Sequence, residues 1–216
     1  MGARAIFLAV ALVACGKNNP QPQSGSGSVE PKGSSMAKSD TDIELVQKTV
    51  AQELKVSPGD VKVRVDRDAN APGVTVFAAT VDPSKAGRNA TRTGVVDGGA
   101  IYTQTDAMSR VARAWGYGAK RSVPATTVAA VFAGLQNATA ESSALLDADT
   151  LDVFKQTANP KQAAAAALPK ETVVDGNPAV VYCLTSSSRA TPFTVVTAIV
   201  KPDFRVELRA QPIMND

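Results

Sequence analysis

Val61-Lys62-Val63-Arg64-Val65-Asp66 alternates valine with charge. Successive side chains of an extended chain point to opposite faces. The segment therefore reads as a strand with a valine face for a core and a charged face for water. Asp68 to Gly73 turns the chain, Val74 to Val81 returns as a second strand, and Asp82-Pro83 closes it. Arg92 to Thr103 is either a third strand or a hairpin broken at Asp97-Gly98-Gly99. Upstream, Thr41-Asp42-Ile43-Glu44 has the pattern of a capping box, in which side chains satisfy the orphan amides of a helix start. Ile43, Val46, Val50 and Leu54 then recur at helical spacing until Ser57-Pro58-Gly59.

Helices follow the first strands. Asp106 opens one carrying Met108, Val111, Ala112 and Trp115, ended by Gly116-Tyr117-Gly118. Pro124 suits the first turn of another, with Val128, Val131, Phe132 and Leu135 along one side. Asp149 to Thr157 forms a third, and Asn159-Pro160 caps a fourth through the Ala163 to Ala167 run, with Pro169 beyond. The C-terminal part reads as a meander. Glu171 to Val174 turns at Asp175-Gly176-Asn177-Pro178, and Ala179 to Ser186 returns. Phe193 to Val200 is apolar enough to be a central strand buried on both faces. After Pro202-Asp203, Phe204, Val206 and Leu208 alternate with Arg205, Glu207 and Arg209. Segregated runs of strands and helices predict an α+β fold, with antiparallel meanders packed on several helices. The order also admits a degenerate repeat of a helix plus three strands, residues 41–104 against 146–211. The first unit is similar to PepSY-type domains of envelope proteins. The C-terminal meander, with Gly176 and Ala179 about a tight turn, is similar to lipoproteins of the PsbP and DcrB kind.

The N-terminus is of another character. Arg4 precedes a continuous apolar run from Ala5 to Ala14. Ten residues are too few to span a bilayer as a helix, which takes about twenty. They suit the apolar region of a signal peptide. Leu12-Val13-Ala14-Cys15 resembles the lipobox of bacterial lipoproteins. The resemblance implies a diacylglyceryl group on the Cys15 thiol, cleavage before Cys15, and acylation of the new amino group, with palmitate a typical chain. Two or three acyl chains anchor stably where one does not. Residues 1–14 are thus the expected signal peptide and residues 15–39 the lipidated cysteine and a tether rich in Pro, Gly and Ser. Residues 40–216 are the expected globular region. Gly16 stands where an Asp would retain such a protein in the inner membrane. The resemblance therefore implies a bacterial cell envelope location, on the outer membrane facing the periplasm or, in a Gram-positive cell, on its only membrane.

The rest of the sequence narrows the chemistry. Loss of Arg4 from 23 basic and 20 acidic residues leaves a balance of +2, which gives no case for nucleic-acid binding. There is no histidine, so Ser-His-Asp and Cys-His arrangements are ruled out. With Cys15 lipidated, Cys183 has no disulfide partner, and its apolar surroundings in sequence predict a buried, inert thiol. Asp66, Asp68 and Asn70 open like a calcium loop, but Ala71 and Phe77 stand where the turn Gly and the bidentate acid belong. A polar turn is the expectation there, and Asp147, Asp149 and Asp152 read as acids of a helix start. No catalytic residue, cofactor or metal site is expected. Lys85, Arg88, Arg92, Arg110, Arg113, Lys120 and Arg121 are opposed across their segment by Asp97 and Asp106. Arg110, Arg113, Lys120 and Arg121 are the candidate basic contact face, with Tyr102, Trp115 and Tyr117 as possible anchors; a solvated charged surface over core aromatics is the plainer alternative. The expected function is a non-catalytic envelope lipoprotein, held to the membrane through Cys15, that binds or supports another envelope protein or polymer. The alternative is a carrier of an apolar or amphipathic ligand in a sheet-and-helix cleft.

Overall fold

The computed structural model describes residues 34–86, 90–118, 123–136, 142–186 and 193–214. The expected signal peptide, Cys15 and residues 15–33 of the expected tether lie outside them. The first helix, α1, runs Ser34–Leu54, so it begins seven residues before the capping box that was expected to start it. Thr41-Asp42-Ile43-Glu44 is interior helix. Of the predicted stripe Val46 and Val50 are buried and Ile43 and Leu54 half-buried; Ala51 is buried beside them, as is Asp42, one turn before Val46. The helix stops at Lys55, whose φ of 56° turns the chain left-handed. The Val56 amide then bonds back to the Ala51 carbonyl, as in a Schellman close.

The first sheet contains β1 (Val61–Val65), β2 (Thr75–Val81), β3 (Ala90–Asp97) and β4 (Ala100–Tyr102), antiparallel and in chain order. The hairpin alternative for Arg92 to Thr103 is the one observed. Gly98 and Gly99, both at positive φ, form the two-residue turn between β3 and β4. A four-residue helix, α2 (Pro83–Ala86), follows Asp82, whose carboxylate accepts from the Ser84 amide. Register places Val61, Phe77, Ala79, Val81, Ala90 and Val96 against α1 in one apolar cluster. Val76 and Val95 point the other way, into a second and larger cluster.

That larger cluster is built on α3 (Gln104–Trp115) and α4 (Ala125–Gln136). α3 buries Ala107, Met108, Val111, Ala112 and Trp115. Gly116 ends it in the left-handed conformation, with the Tyr117 amide bonded to the Ala112 carbonyl. α4 buries Val128, Ala129, Val131, Phe132, Ala133 and Leu135, more than one stripe, as a helix enclosed by other elements must. The enclosing elements are two sheets. Val76 and Val95 of the first meet these helices from one side. Val180, Tyr182, Leu184, Val196, Ala198 and Val200 of the second meet them from the other.

The second sheet contains β5 (Ser142–Ala144), β6 (Lys170–Val174), β7 (Asn177–Ser186), β8 (Phe193–Val200) and β9 (Val206–Ile213). The order is β5-β7-β8-β9, and β6 also pairs with β7. β5 and β6 take successive stretches of one edge of β7, Leu184 to Ser186 and Asn177 to Val181. β8 is central and covered on both faces, as its composition predicted. Val196, Ala198 and Val200 face α3 and α4, while Phe193 and Val195 join Leu145, Ala166 and Cys183 on the far side. That far side is covered by α5 (Ala148–Thr157) and α6 (Pro160–Ala165). α6 stops short of the predicted Ala167, because Ala166 is extended and buried in the far-side cluster. Phe204 was grouped with the final strand. It lies instead in the preceding turn at φ 66°, and β9 continues to Ile213.

The protein is therefore α+β with antiparallel sheets, layered as α1, first sheet, α3 with α4, second sheet, α5 with α6. Residues 33–216 fall into one compact unit. The suspected repeat gains strands: β1 to β4 and β6 to β9 are both antiparallel meanders in chain order. β5 has no counterpart in the first sheet.

Candidate functional site

Of the basic face, Arg110 and Arg113 are described, whereas Lys120 and Arg121 lie outside the described residues. Both arginines lie off the buried stripe of α3, Arg110 half-buried and Arg113 exposed. Arg110 donates to Asp97 Oδ2 at 3.1 Å, and its guanidinium lies over the Tyr102 ring, 4.1 Å from the centroid. Its side chain is one-third exposed. Arg113 is exposed and reaches the Asp203 carbonyl at 3.5 Å. Ser109, just before Arg110, accepts through Oγ from the Val206 amide at 3.0 Å. The two arginines thus tie α3 to opposite neighbours, Arg110 to the β3–β4 hairpin and Arg113 to the β8–β9 turn. Asp97 neutralises one of the charges counted toward a basic surface.

The aromatics suggested as interface anchors are core instead. Trp115 and Tyr117 are 3% and 5% exposed. Trp115 Nε1 donates to the Ala69 carbonyl at 2.9 Å, and its ring stacks on Phe132. Buried among apolar side chains and facing the charge of Glu171, the Tyr117 hydroxyl is pushed up to about 12. Tyr102 is half-buried beneath Arg110.

The acidic clusters are used by the backbone. Asp66 Oδ1 accepts from the amides of Asp68 and Ala69, an Asx turn. Asp147 caps α5 by accepting from the Thr150 amide at 2.8 Å, and this bond holds its carboxyl below the usual range. Asp82, Asp203 and Glu207 are also lowered. Their causes begin with hydrogen bonds from the Ser84 side chain, the Arg205 amide and the Lys201 side chain, respectively. Among the described residues, no group of three or more Cys, Asp or Glu side chains is arranged to hold a metal ion.

Cys183 is buried, as expected, and its Sγ donates to the Ala165 carbonyl at 3.8 Å. Burial pushes this thiol up, away from the reactive thiolate. Tyr182, also raised by burial, donates its hydroxyl to Gln136 Oε1.

Asp42 is the polar residue that the sequence reading misplaced. It is 5% exposed, and its Oδ2 accepts from the Thr75 hydroxyl at 2.6 Å, joining α1 to the start of β2. Its spacing of four from Val46 was the signal that it belongs to the buried stripe rather than to a cap.

Clefts lined by described residues include three that bear on ligand binding. One of about 70 Å³ lies between the first sheet and α4, lined by Ala78, Thr93, Ala130, Val131, Gly134 and others. One of about 140 Å³ lies beside Trp115 and Pro124. One of about 430 Å³ is an open hollow edged by Asp60, Lys62, Asp82 and Lys85. The first two are smaller than the few hundred cubic ångströms of a typical ligand pocket, and the third is charged rather than apolar.

Among the described residues no helix is long and apolar enough to cross a membrane. Comparison with known protein families, with curated proteins and with solved structures finds no match to this chain.

Proposed function

We propose that this protein is a non-catalytic lipoprotein of the bacterial envelope, anchored through lipid on Cys15, whose α+β body binds or supports another envelope component. The observation that carries the reading is the apolar run ending in Leu12-Val13-Ala14-Cys15. Helix α1 takes up residues 34–39 of the expected tether, and the sequence of residues 16–33 keeps the Pro, Gly and Ser content on which the tether reading rests. The non-catalytic part of the reading rests on the sequence, which holds no histidine for a Ser-His-Asp or Cys-His arrangement. The three clefts described above are too small or too charged to argue for an apolar carrier.

Mass spectrometry of the chain purified from its native cell tests the anchor. The expected N-terminal residue is an acylated Cys15, and Cys15→Ala moves the protein out of the membrane fraction. A mature chain that still begins at Met1, or that carries no fatty acid, overturns the reading. Crosslinking in the same cell tests the second half, with an envelope protein or polymer as the expected adduct. Recovery of the uncrosslinked chain alone counts against a binding role.

A further inference from the structure

The two faces of the second sheet are covered unequally. On one lie α3 and α4, which bury five and six residues between this sheet and the first. On the other, α5 and α6 bury none, and Val153 of α5 is 63% exposed. The far-side cluster has four buried members, Leu145, Ala166, Cys183 and Phe193. Leu151, Phe154 and Ala165 of the helices pack on it partly buried, and Phe154 stacks on Phe193 with ring centroids 4.9 Å apart. Gln162 Nε2 adds a bond to the Ile213 carbonyl at 3.4 Å. α5 begins at the Asp147 cap and α6 ends in extended chain at Ala166, so the pair is bounded at both ends by non-helical backbone.

Elements that bury little apolar surface open at lower free energy than the body they cover. We propose that α5 and α6 form a cover that swings off the second sheet as a unit while both sheets stay folded. In the closed form Cys183 is 1% exposed, with its thiol directed at the Ala165 carbonyl of the cover. In the open form this thiol and the apolar strip of Phe193, Val195 and Ile213 face solvent. Cys183 therefore reports the motion: its reaction with a thiol reagent requires the cover to leave and does not require the middle layer to come apart.

The full chain carrying Cys15→Ser has Cys183 as its sole thiol. Its labelling by an aromatic disulfide reagent is followed as a function of urea. The expected rate is nearly flat at low urea and joins the steep global-unfolding limb only near the transition. Phe154→Ala accelerates labelling without urea at least tenfold. Val196→Ala, on the opposite face of β8, leaves it within twofold. A rate that follows global unfolding at every urea concentration overturns the proposal, as does equal acceleration by both substitutions. Amide hydrogen exchange on the unsubstituted chain gives an independent readout. Residues 148–165 should exchange faster than β7 and β8, and equal protection overturns the cover.

Discussion

Gly94→Ala should be among the most damaging single-methyl additions to the first sheet. Gly94 is buried in β3 opposite Phe77. A Cβ built there stands 2.5 Å from the Tyr102 carbonyl oxygen and 2.9 Å from Cζ of Phe77. The first neighbour is backbone and cannot swing aside. The second belongs to a ring that is 3% exposed in the α1 cluster. Overpacking of this kind costs about 1–3 kcal/mol, and the rigidity of the carbonyl argues for about 3. The stiffer unfolded chain of the alanine variant returns about 0.4–1 kcal/mol. A net loss of about 2 kcal/mol remains, which in a domain of this size lowers Tm by about 4–8 °C. Gly134→Ala is the control. Gly134 is exposed in α4 with nothing within 4 Å of the added Cβ, so helix propensity alone should gain about 1 kcal/mol. Calorimetry and urea unfolding of both variants decide the matter. A fall of under about 2 °C for Gly94→Ala, or shifts of the same sign in both, would refute the argument from close approach.

Three further outcomes follow from the site geometry. Asp42→Ala and Thr75→Val should each cost about 1–3 kcal/mol, and a double-mutant cycle should return a coupling of at least about 0.5 kcal/mol; additive losses would mean that the 2.6 Å bond contributes nothing to stability. Tyr117 and Tyr182 are raised by burial, so the unfolded chain ionises first. Their contribution is complete below the ordinary value of 10 and is lost as pH rises toward about 12 for Tyr117; unfolding titrations should show stability falling between those limits, and a flat profile would contradict the burial of the hydroxyls. Arg110→Ala should lower stability through loss of Asp97 and Tyr102, so the basic face is better tested by Arg113→Ser with Arg121→Ser. In a Cys15→Ala background that pair should weaken residual envelope association, and unchanged fractionation removes support for the face.

Much of the fold was legible because strand and helix periodicities are local. The alternation from Val61 to Asp66, the turn glycines Gly98 and Gly99, the Asn159-Pro160 cap and the apolar β8 each declare themselves within a few residues. The elements that were missed have weak local signals. β5 is the polar tripeptide Ser142-Ser143-Ala144, a strand because β7 offers it a free edge. The start of α1 was misread because Thr41 and Glu44 satisfy the spacing of a capping box whether or not a helix begins there. Of the candidate site, Arg110 was found as a charge, but its partner Asp97 was counted only as an opposing one.

By itself the sequence determined the element types, their antiparallel meanders and the absence of histidine chemistry, since these depend on neighbours along the chain or on composition. Tertiary structure decided which faces meet. α4 is apolar nearly all round, and such a helix states that it is enclosed without stating by what. Only packing places it between two sheets, puts Asp42 against Thr75 across 33 residues, and makes Trp115 a core residue bonded to Ala69. The physical reason is that burial and hydrogen-bond satisfaction are settled by the three-dimensional neighbourhood. Periodicity fixes only the side of an element that seeks one.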